Sequence, residues 1–138
     1  MRHPKDSAAT KTVIRSEEEL RSHLETARLD LRALYRSLDQ LHLMQRLPPE
    51  LRVVQELDAD FAEALWVLDQ PKKAFDRAAM TRDTVAALAR LPEARKRLLA
   101  LFDDPTRALA EERSQVIRRR LSPNDAYLEV PGRDPLVR

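Results

Sequence analysis

Residues 17–41, EEELRSHLETARLDLRALYRSLDQL, carry the most regular pattern in this 138-residue chain. The apolar residues of the segment are spaced alternately four and three apart, which places them on one face of an α-helix and repeats the a and d positions of a heptad. These residues, here called the heptad seam, are Leu20, Leu24, Ala27, Leu31, Leu34, Leu38 and Leu41. The segment therefore predicts a long amphipathic helix.

The ends of this helix are also indicated by sequence. Ser16 is a typical N-cap residue, and Glu19 stands three positions later, as in a capping box. The run of glutamates after Ser16 suits the positive end of a helix dipole. We expect the helix to continue to about Leu47, because Pro48 and Pro49 follow and proline disfavours a continuing helix.

Prolines divide the rest of the chain into further helices. Pro49 is suited to the first position of a second helix, 49–70, whose end becomes apolar on most faces and is therefore predicted to be central. Thr81, or alternatively Thr84, can cap a short helix that ends before Pro92, and Pro92 can open another short helix. Asp104 can cap a last helix running to about Leu121. We expect the inward residues of that last helix to be Leu109, Val116, Ile117 and Leu121.

Composition supports the same fold class. The chain has a single glycine and lacks the Asn-Gly and Asp-Gly pairs that mark β-hairpins. The sequence predicts an all-α protein, a four- or five-helix bundle with a long N-terminal helix and flexible termini. We expect a flexible N-terminal tail over 1–14, one helical-bundle domain over 15–121 and an extended C-terminal tail over 122–138.

Residue types and spacing argue against several classes of function. There is no cysteine, and His3, His23 and His42 are not spaced to share a metal ion. The chain has no glycine-rich phosphate loop and no nucleophile motif. We therefore expect no enzyme, no metal site and no cofactor. No apolar run is long enough to span a membrane, and residues 1–14 lack a signal peptide, so we expect a cytoplasmic protein without a membrane partner.

Charge is distributed unevenly along the chain. Residues 16–70 carry 6 basic and 12 acidic side chains, whereas residues 71–121 carry 13 basic and 7 acidic ones. These opposite net charges could attract each other within one chain or between chains. Arginines outnumber lysines by 20 to 5, which is typical of a GC-rich bacterial coding sequence.

The helical pattern, together with the lack of catalytic motifs, predicts a non-catalytic bacterial module that binds other proteins, such as an adaptor, a chaperone-like protein or a regulatory subunit. The heptad seam either packs within one bundle or contacts another chain, which would make self-association through the first helix possible. The C-terminal tail has apolar residues but no helical period, so it either lies extended on the surface or docks onto a partner. The candidate partner-binding residues are Leu20, Leu24, Ala27, Leu31, Tyr127, Leu128 and Val130.

Nucleic-acid binding is the alternative function, since two basic clusters occur in the C-terminal half. A short helix that begins with a basic cluster resembles the arrangement in helix-turn-helix proteins, although the joint here is a proline. A basic triplet at a helix end also offsets the helix dipole without any binding role. The candidate nucleic-acid-binding residues are Arg95, Lys96, Arg97, Arg118, Arg119 and Arg120.

Overall fold

The computed structural model describes residues 16–44, 48–71 and 77–130, and these residues form helices and no strand. The predicted all-α class is therefore confirmed, with four α-helices. They are α1 (Glu17–Gln40), α2 (Pro49–Leu68), α3 (Arg77–Leu99) and α4 (Asp104–Arg120), followed by a 3₁₀ helix (Pro123–Tyr127). The predicted N-terminal tail and the last eight residues lie outside the described part of the chain. No helix among the described residues is long and apolar enough to cross a membrane.

Helix α1 begins where the sequence predicts and ends earlier. The Ser16 hydroxyl accepts a hydrogen bond from the Glu19 backbone N–H at 3.1 Å, which confirms the N-cap. The helix ends at Gln40 rather than near Leu47, because His42 adopts a left-handed backbone with φ 59°. The Leu43 N–H then donates to the Leu38 carbonyl at 2.8 Å and the His42 N–H to the Asp39 carbonyl at 3.0 Å. This is a Schellman closure, which satisfies the last carbonyls before the prolines are reached.

Helix α3 differs from the prediction of two short helices. It runs without interruption from Arg77 to Leu99 with Pro92 inside it, and Thr81 does not cap it. Proline removes one backbone donor from a helix. Packing of Ala87 before Pro92, and of Leu98 and Leu99 after it, lets the helix continue, since all three are buried in the core.

The core is built around α1. The six seam residues from Leu20 to Leu38 are buried against α2, α3 and α4, and Leu41 packs at the edge. On α2, one stripe of buried residues faces this core, as the sequence predicts: Leu51, Val54, Leu57, Phe61, Leu65 and Leu68. The heptad seam is thus the interior face of a single-chain bundle.

Helix α4 packs on α1 through small residues, and this corrects the predicted inward face at Leu109 and Val116, whereas Leu121 packs against the core as predicted. Ala110 and Ser114 are the buried residues of α4, whereas Leu109 and Val116 are exposed. The Ser37 hydroxyl of α1 donates to the Ala110 carbonyl at 2.7 Å. A side chain as short as serine reaches a backbone carbonyl of another helix only when the two helices lie very close. That approach selects the Ala110–Ser114 face, because larger side chains would hold the helices apart.

Helix α4 begins at an aspartate cap one residue earlier than predicted. The Asp103 carboxylate accepts a hydrogen bond from the Thr106 backbone N–H at 2.9 Å. Hydrogen bonds from the Thr106 side chain and from its backbone N–H hold the pKa of Asp103 below its usual range. Asp30 of α1 pairs with Arg118 near the end of α4, and Ser37 contacts Ala110 nearer its start, so the two helices run antiparallel.

The chain after α4 is folded rather than extended over residues 122–130, which corrects the prediction for this segment. The Ser122 N–H donates to the Asp125 carboxylate at 2.8 Å and begins the 3₁₀ helix. Ala126, Tyr127 and Val130 are buried against α1. Apolar residues without a helical period can still dock on a core when a short turn presents them together.

A buried arginine joins α1, α2 and this C-terminal segment. Arg28 is 1% exposed, and its Nε and Nη2 donate to the two carboxylate oxygens of Asp58 on α2 at 2.9 and 3.1 Å. Its Nη1 donates to the backbone carbonyls of Ala126 at 3.1 Å and Leu128 at 2.8 Å. A charge this deeply buried is tolerated because all three nitrogens of the guanidinium donate hydrogen bonds to oxygen acceptors.

We predict that Arg28→Met destabilises the fold by about 3–5 kcal/mol, because it leaves Asp58 and the Ala126 carbonyl without the donors that Arg28 provides. Urea unfolding followed by circular dichroism measures this change. Arg36→Met is the matched control, since Arg36 lies exposed on the same helix, and it should change stability by under about 0.5 kcal/mol. Equal effects of the two substitutions would contradict the structural role given to Arg28.

We predict that Ala110→Leu destabilises the protein by about 1–3 kcal/mol, because the close contact of α1 and α4 leaves no space for a larger side chain. Ala108→Leu, two residues away on the exposed side of α4, should be within about 0.5 kcal/mol of the parent. Thermal and urea unfolding of both variants test the contact. An Ala110→Leu protein as stable as the Ala108→Leu protein would rule out tight packing there.

Candidate functional site

The predicted partner-binding residues of α1 lie in the interior. Leu20, Leu24, Ala27 and Leu31 are each 7% exposed or less and contact the rest of this chain's core. Of the two possibilities for the heptad seam, the structure shows packing within one bundle. These four side chains therefore offer almost no surface to another chain.

The predicted C-terminal contact residues are also mostly interior. Tyr127 and Val130 are buried, and Leu128 is partly exposed. The Tyr127 hydroxyl donates to the Glu25 carboxylate, and Arg21 Nη1 donates to the same hydroxyl at 3.4 Å. Tyr127 and Val130 thus bind the segment to α1 of its own chain rather than projecting from it.

The two basic clusters meet in part. Arg95 of α3 and Arg118 and Arg119 of α4 line one groove of about 620 Å³ between α1, α3 and α4, here called the arginine groove. Arg118 Nε donates to Asp30 at 2.8 Å, and Asp30 is the one acidic residue lining the groove. Arg95 and Arg119 have no hydrogen-bond or ion-pair partner among the residues that the structure describes.

The other three predicted basic residues point elsewhere. Arg97 pairs with Glu93 one helical turn away at 3.2 Å. Lys96 lines a neighbouring groove between α3 and α4 with Arg107 and Glu111, and this groove adjoins the arginine groove at Arg95. Arg120 is exposed at the end of α4. Consecutive residues on a helix diverge by about 100°, so a basic run in sequence does not form one patch in space.

Helix α4 exposes an apolar pair that the sequence pattern assigns to the core. Leu109 is 45% exposed and Val116 is 39% exposed, and their separation of seven residues puts them on the same face. The residues on this face, here called the outer face of α4, are Leu109, Glu112, Arg113, Val116 and Arg120. Arg113 also donates to the Gln40 amide oxygen of α1 at 3.2 Å.

A further concavity lies between α1 and α2 and was not anticipated from sequence. This α1–α2 pocket has a volume of about 690 Å³. Its residues are Arg28, Arg32 and Tyr35 of α1, Gln55, Asp58, Ala59, Ala62, Glu63 and Trp66 of α2, and Glu129. The available signal in the sequence was a polar stripe beside the heptad seam, since Arg28, Arg32 and Tyr35 are four and three residues apart.

Two polar atoms of this pocket are buried without a partner. Among the described residues, Arg32 Nε and the Tyr35 hydroxyl have no hydrogen-bond partner. Arg32 Nη2 donates to the Leu128 carbonyl at 2.9 Å and lies 3.4 Å from the Glu129 carboxylate. Burial, with the negative charge of Asp58, raises the pKa of Tyr35 well above its usual range.

The described residues contain no group of three or more histidine, cysteine, aspartate or glutamate side chains placed to hold a metal ion. His23 and His42 lie near opposite ends of α1. No family model, no curated protein and no solved structure matches this chain.

We predict that neither tyrosine of the chain, Tyr35 or Tyr127, ionises at the ordinary tyrosine pKa of about 10 while the protein is folded. Burial raises the pKa of both tyrosines in the folded protein. The stability that the neutral hydroxyls contribute is therefore present in full below the unfolded pKa and is lost as pH rises through the folded pKa values. Tyrosinate absorbance should therefore increase together with loss of the helical circular dichroism signal.

Tyr35→Phe and Tyr127→Phe assign the absorbance change to each residue. Titration of either hydroxyl near the ordinary pKa, with the helical signal intact, would contradict the burial of that tyrosine.

Proposed function

We propose that this protein is a non-catalytic helical module that binds another protein through the outer face of α4. The observation that supports the proposal is the exposure of Leu109 and Val116 together on one face of a helix. The other large exposed apolar residues among those described are Val53 and Leu101, which lie on α2 and in the connection before α4. Covering an apolar pair in an interface is favourable in proportion to the area removed from water.

The charges near this pair indicate the chemistry of the partner. Arg113 and Arg120 lie on the same face, and Arg119 is next to it, whereas Glu112 is the one acidic residue there. An amphipathic segment with two apolar residues flanked by acidic side chains would complement this surface. A role as an adaptor, a chaperone-like protein or a regulatory subunit in the bacterial cytoplasm is consistent with such a surface and belongs to the same proposal.

We propose that any self-association uses this face as well. The heptad seam is occupied within the chain, so a second copy would meet α4 rather than the seam of α1. The exposed acidic residues Glu56, Asp60 and Glu63 of α2 have the charge that a partner of α4 requires. Mass measurement across a concentration series tests this arrangement, and a strict monomer at tens of micromolar would exclude it.

Val116→Gln tests the role of α4, with Val53→Gln as its matched control, because both valines are helical and about equally exposed, at 39% and 41%. The native protein is used as bait in an extract of the cells that express it, and the captured proteins are quantified. We expect Val116→Gln and Leu109→Gln to reduce specific capture about tenfold each, as for residues central to an interface. Val53→Gln should have no effect.

Equal capture by all variants would exclude the outer face of α4 as the binding surface. Absence of any protein captured above background would contradict the proposed function itself.

Nucleic-acid binding is the second candidate, supported by the meeting of Arg95, Arg118 and Arg119 in the arginine groove. Planar guanidinium groups on two helices can each contact a phosphate, and such contacts weaken steeply with salt. Arg95 and Arg119 are the most available of these groups, because Arg118 is paired with Asp30.

A mobility-shift assay over a salt series tests this candidate. For Arg95→Gln with Arg119→Gln, we expect the slope of log affinity against log salt to become less negative by about 0.9 per lost phosphate contact. The matched control replaces the exposed Arg52 and Arg82 by glutamine, which removes the same charge elsewhere. No shift at low salt, or equal slopes in both double variants, would exclude the arginine groove as a nucleic-acid site.

A further inference from the structure

The α1–α2 pocket lies where two alanines of α2 leave space opposite long side chains of α1. Helix α2 presents Ala59 and Ala62, and Arg32 and Tyr35 of α1 lie on the other side of the pocket. Ala62 is 7% exposed, so it forms part of the packed floor, whereas Ala59 is exposed at the opening. Larger residues at either alanine position would fill the space between the two helices.

Two hydrogen-bond donors in this pocket have no acceptor among the described residues. Arg28 is fully engaged by Asp58 and by the carbonyls of the C-terminal segment. Arg32 is engaged at Nη2 only, which leaves its Nε without an acceptor, and the Tyr35 hydroxyl is likewise without a partner among the described residues. A buried polar group without a partner is costly, so both atoms favour a molecule that brings an acceptor.

Two arginines and three carboxylates line the pocket, so an acceptor bound at Arg32 is limited to a single negative charge. Arg28 is neutralised by Asp58, whereas the partner of Arg32 is Glu129, whose side chain is 79% exposed and lies 3.4 Å away. An ion pair with so exposed a carboxylate contributes little free energy, so the positive charge of Arg32 is largely available to a ligand. A doubly charged phosphate would be disfavoured, because Glu63 and Glu129 also line the pocket.

The remaining surface of the pocket is suited to an apolar body. The Tyr35 and Trp66 rings and the two alanine methyl groups form this part. Ligand pockets in proteins commonly combine such apolar walls with a small number of convergent polar groups.

We propose that the α1–α2 pocket binds a small monocarboxylate with an aromatic or aliphatic body. Arg32 Nε and the Tyr35 hydroxyl donate hydrogen bonds to the carboxylate, and the body lies against Ala59, Ala62 and Trp66. The pocket is separate from the outer face of α4, so this proposal and the proposed function can fail independently.

The single tryptophan of the chain provides the measurement, because Trp66 lines the pocket. Phenylacetate is titrated into the full-length protein while Trp66 fluorescence is recorded, and phenylacetamide, its neutral counterpart, is titrated in parallel. We expect a saturable change with phenylacetate and an affinity about tenfold lower for the amide, which cannot use the charge of Arg32. Phenyl phosphate should also bind more weakly than phenylacetate.

Ala59→Leu locates the site, because the larger side chain occupies the pocket opening at an exposed position where folding should be preserved. Ala89→Leu is the matched control on the exposed side of α3, away from the pocket. We expect Ala59→Leu to weaken phenylacetate binding at least about tenfold and Ala89→Leu to leave it unchanged. Arg32→Gln should remove the preference for phenylacetate over phenylacetamide, whereas Arg36→Gln should retain it.

Three results would overturn the proposal. The first is no saturable change up to roughly 10 mM phenylacetate, which is already a weak affinity for a ligand of this size. The second is equal or tighter binding of phenylacetamide or phenyl phosphate, which would contradict recognition of a monocarboxylate. The third is unchanged binding in the Ala59→Leu protein, which would place the ligand elsewhere.

Discussion

The Arg28 guanidinium is the contact on which the arrangement of this protein depends. It is buried beside the heptad seam, binds both oxygens of Asp58 and reaches two carbonyls of the segment after α4. One side chain thereby fixes the position of α2 relative to α1 and docks the C-terminal segment on both. Desolvating a charge is costly, so the arrangement is stable only when every one of these acceptors is in place. That requirement favours one specific packing of the three parts over other compact ones.

Helix α1 holds the molecule together because it uses several faces for different contacts. Its leucines form the apolar core, Ser37 allows α4 to approach closely, and a third stripe carries Arg28, Arg32 and Tyr35 toward α2. The small-residue contact has a consequence for the surface of α4. Because Ala110 and Ser114 face inward, Leu109 and Val116 must face solvent, and the apolar surface proposed to bind a partner follows from this packing.

The surfaces of the molecule therefore differ in character. The outer face of α4 is apolar and basic, the arginine groove is polar and open, and the α1–α2 pocket combines two incompletely bonded donors with an apolar lining. A flat helical face suits a macromolecule, whereas a concave pocket with convergent donors suits a small one. The two proposals concern different helices, and a protein that responds to a small acid while contacting a partner would require both surfaces.

Local pattern was sufficient to predict the all-α class, the cap at Ser16 and the inward stripe of α2, because these depend on periodicity and on residues a few positions apart. Whether the heptad seam packs within the chain or against another chain was decided only by the tertiary structure. Packing contacts between distant parts of the chain determined the remaining features of the fold and its surfaces. Helix α3 continues through Pro92 because its buried residues pack on both sides, and α4 turns its small residues inward because α1 offers a matching face. The arginine groove and the α1–α2 pocket combine residues up to about a hundred positions apart, and only the packing of α1 against its neighbours brings such residues together.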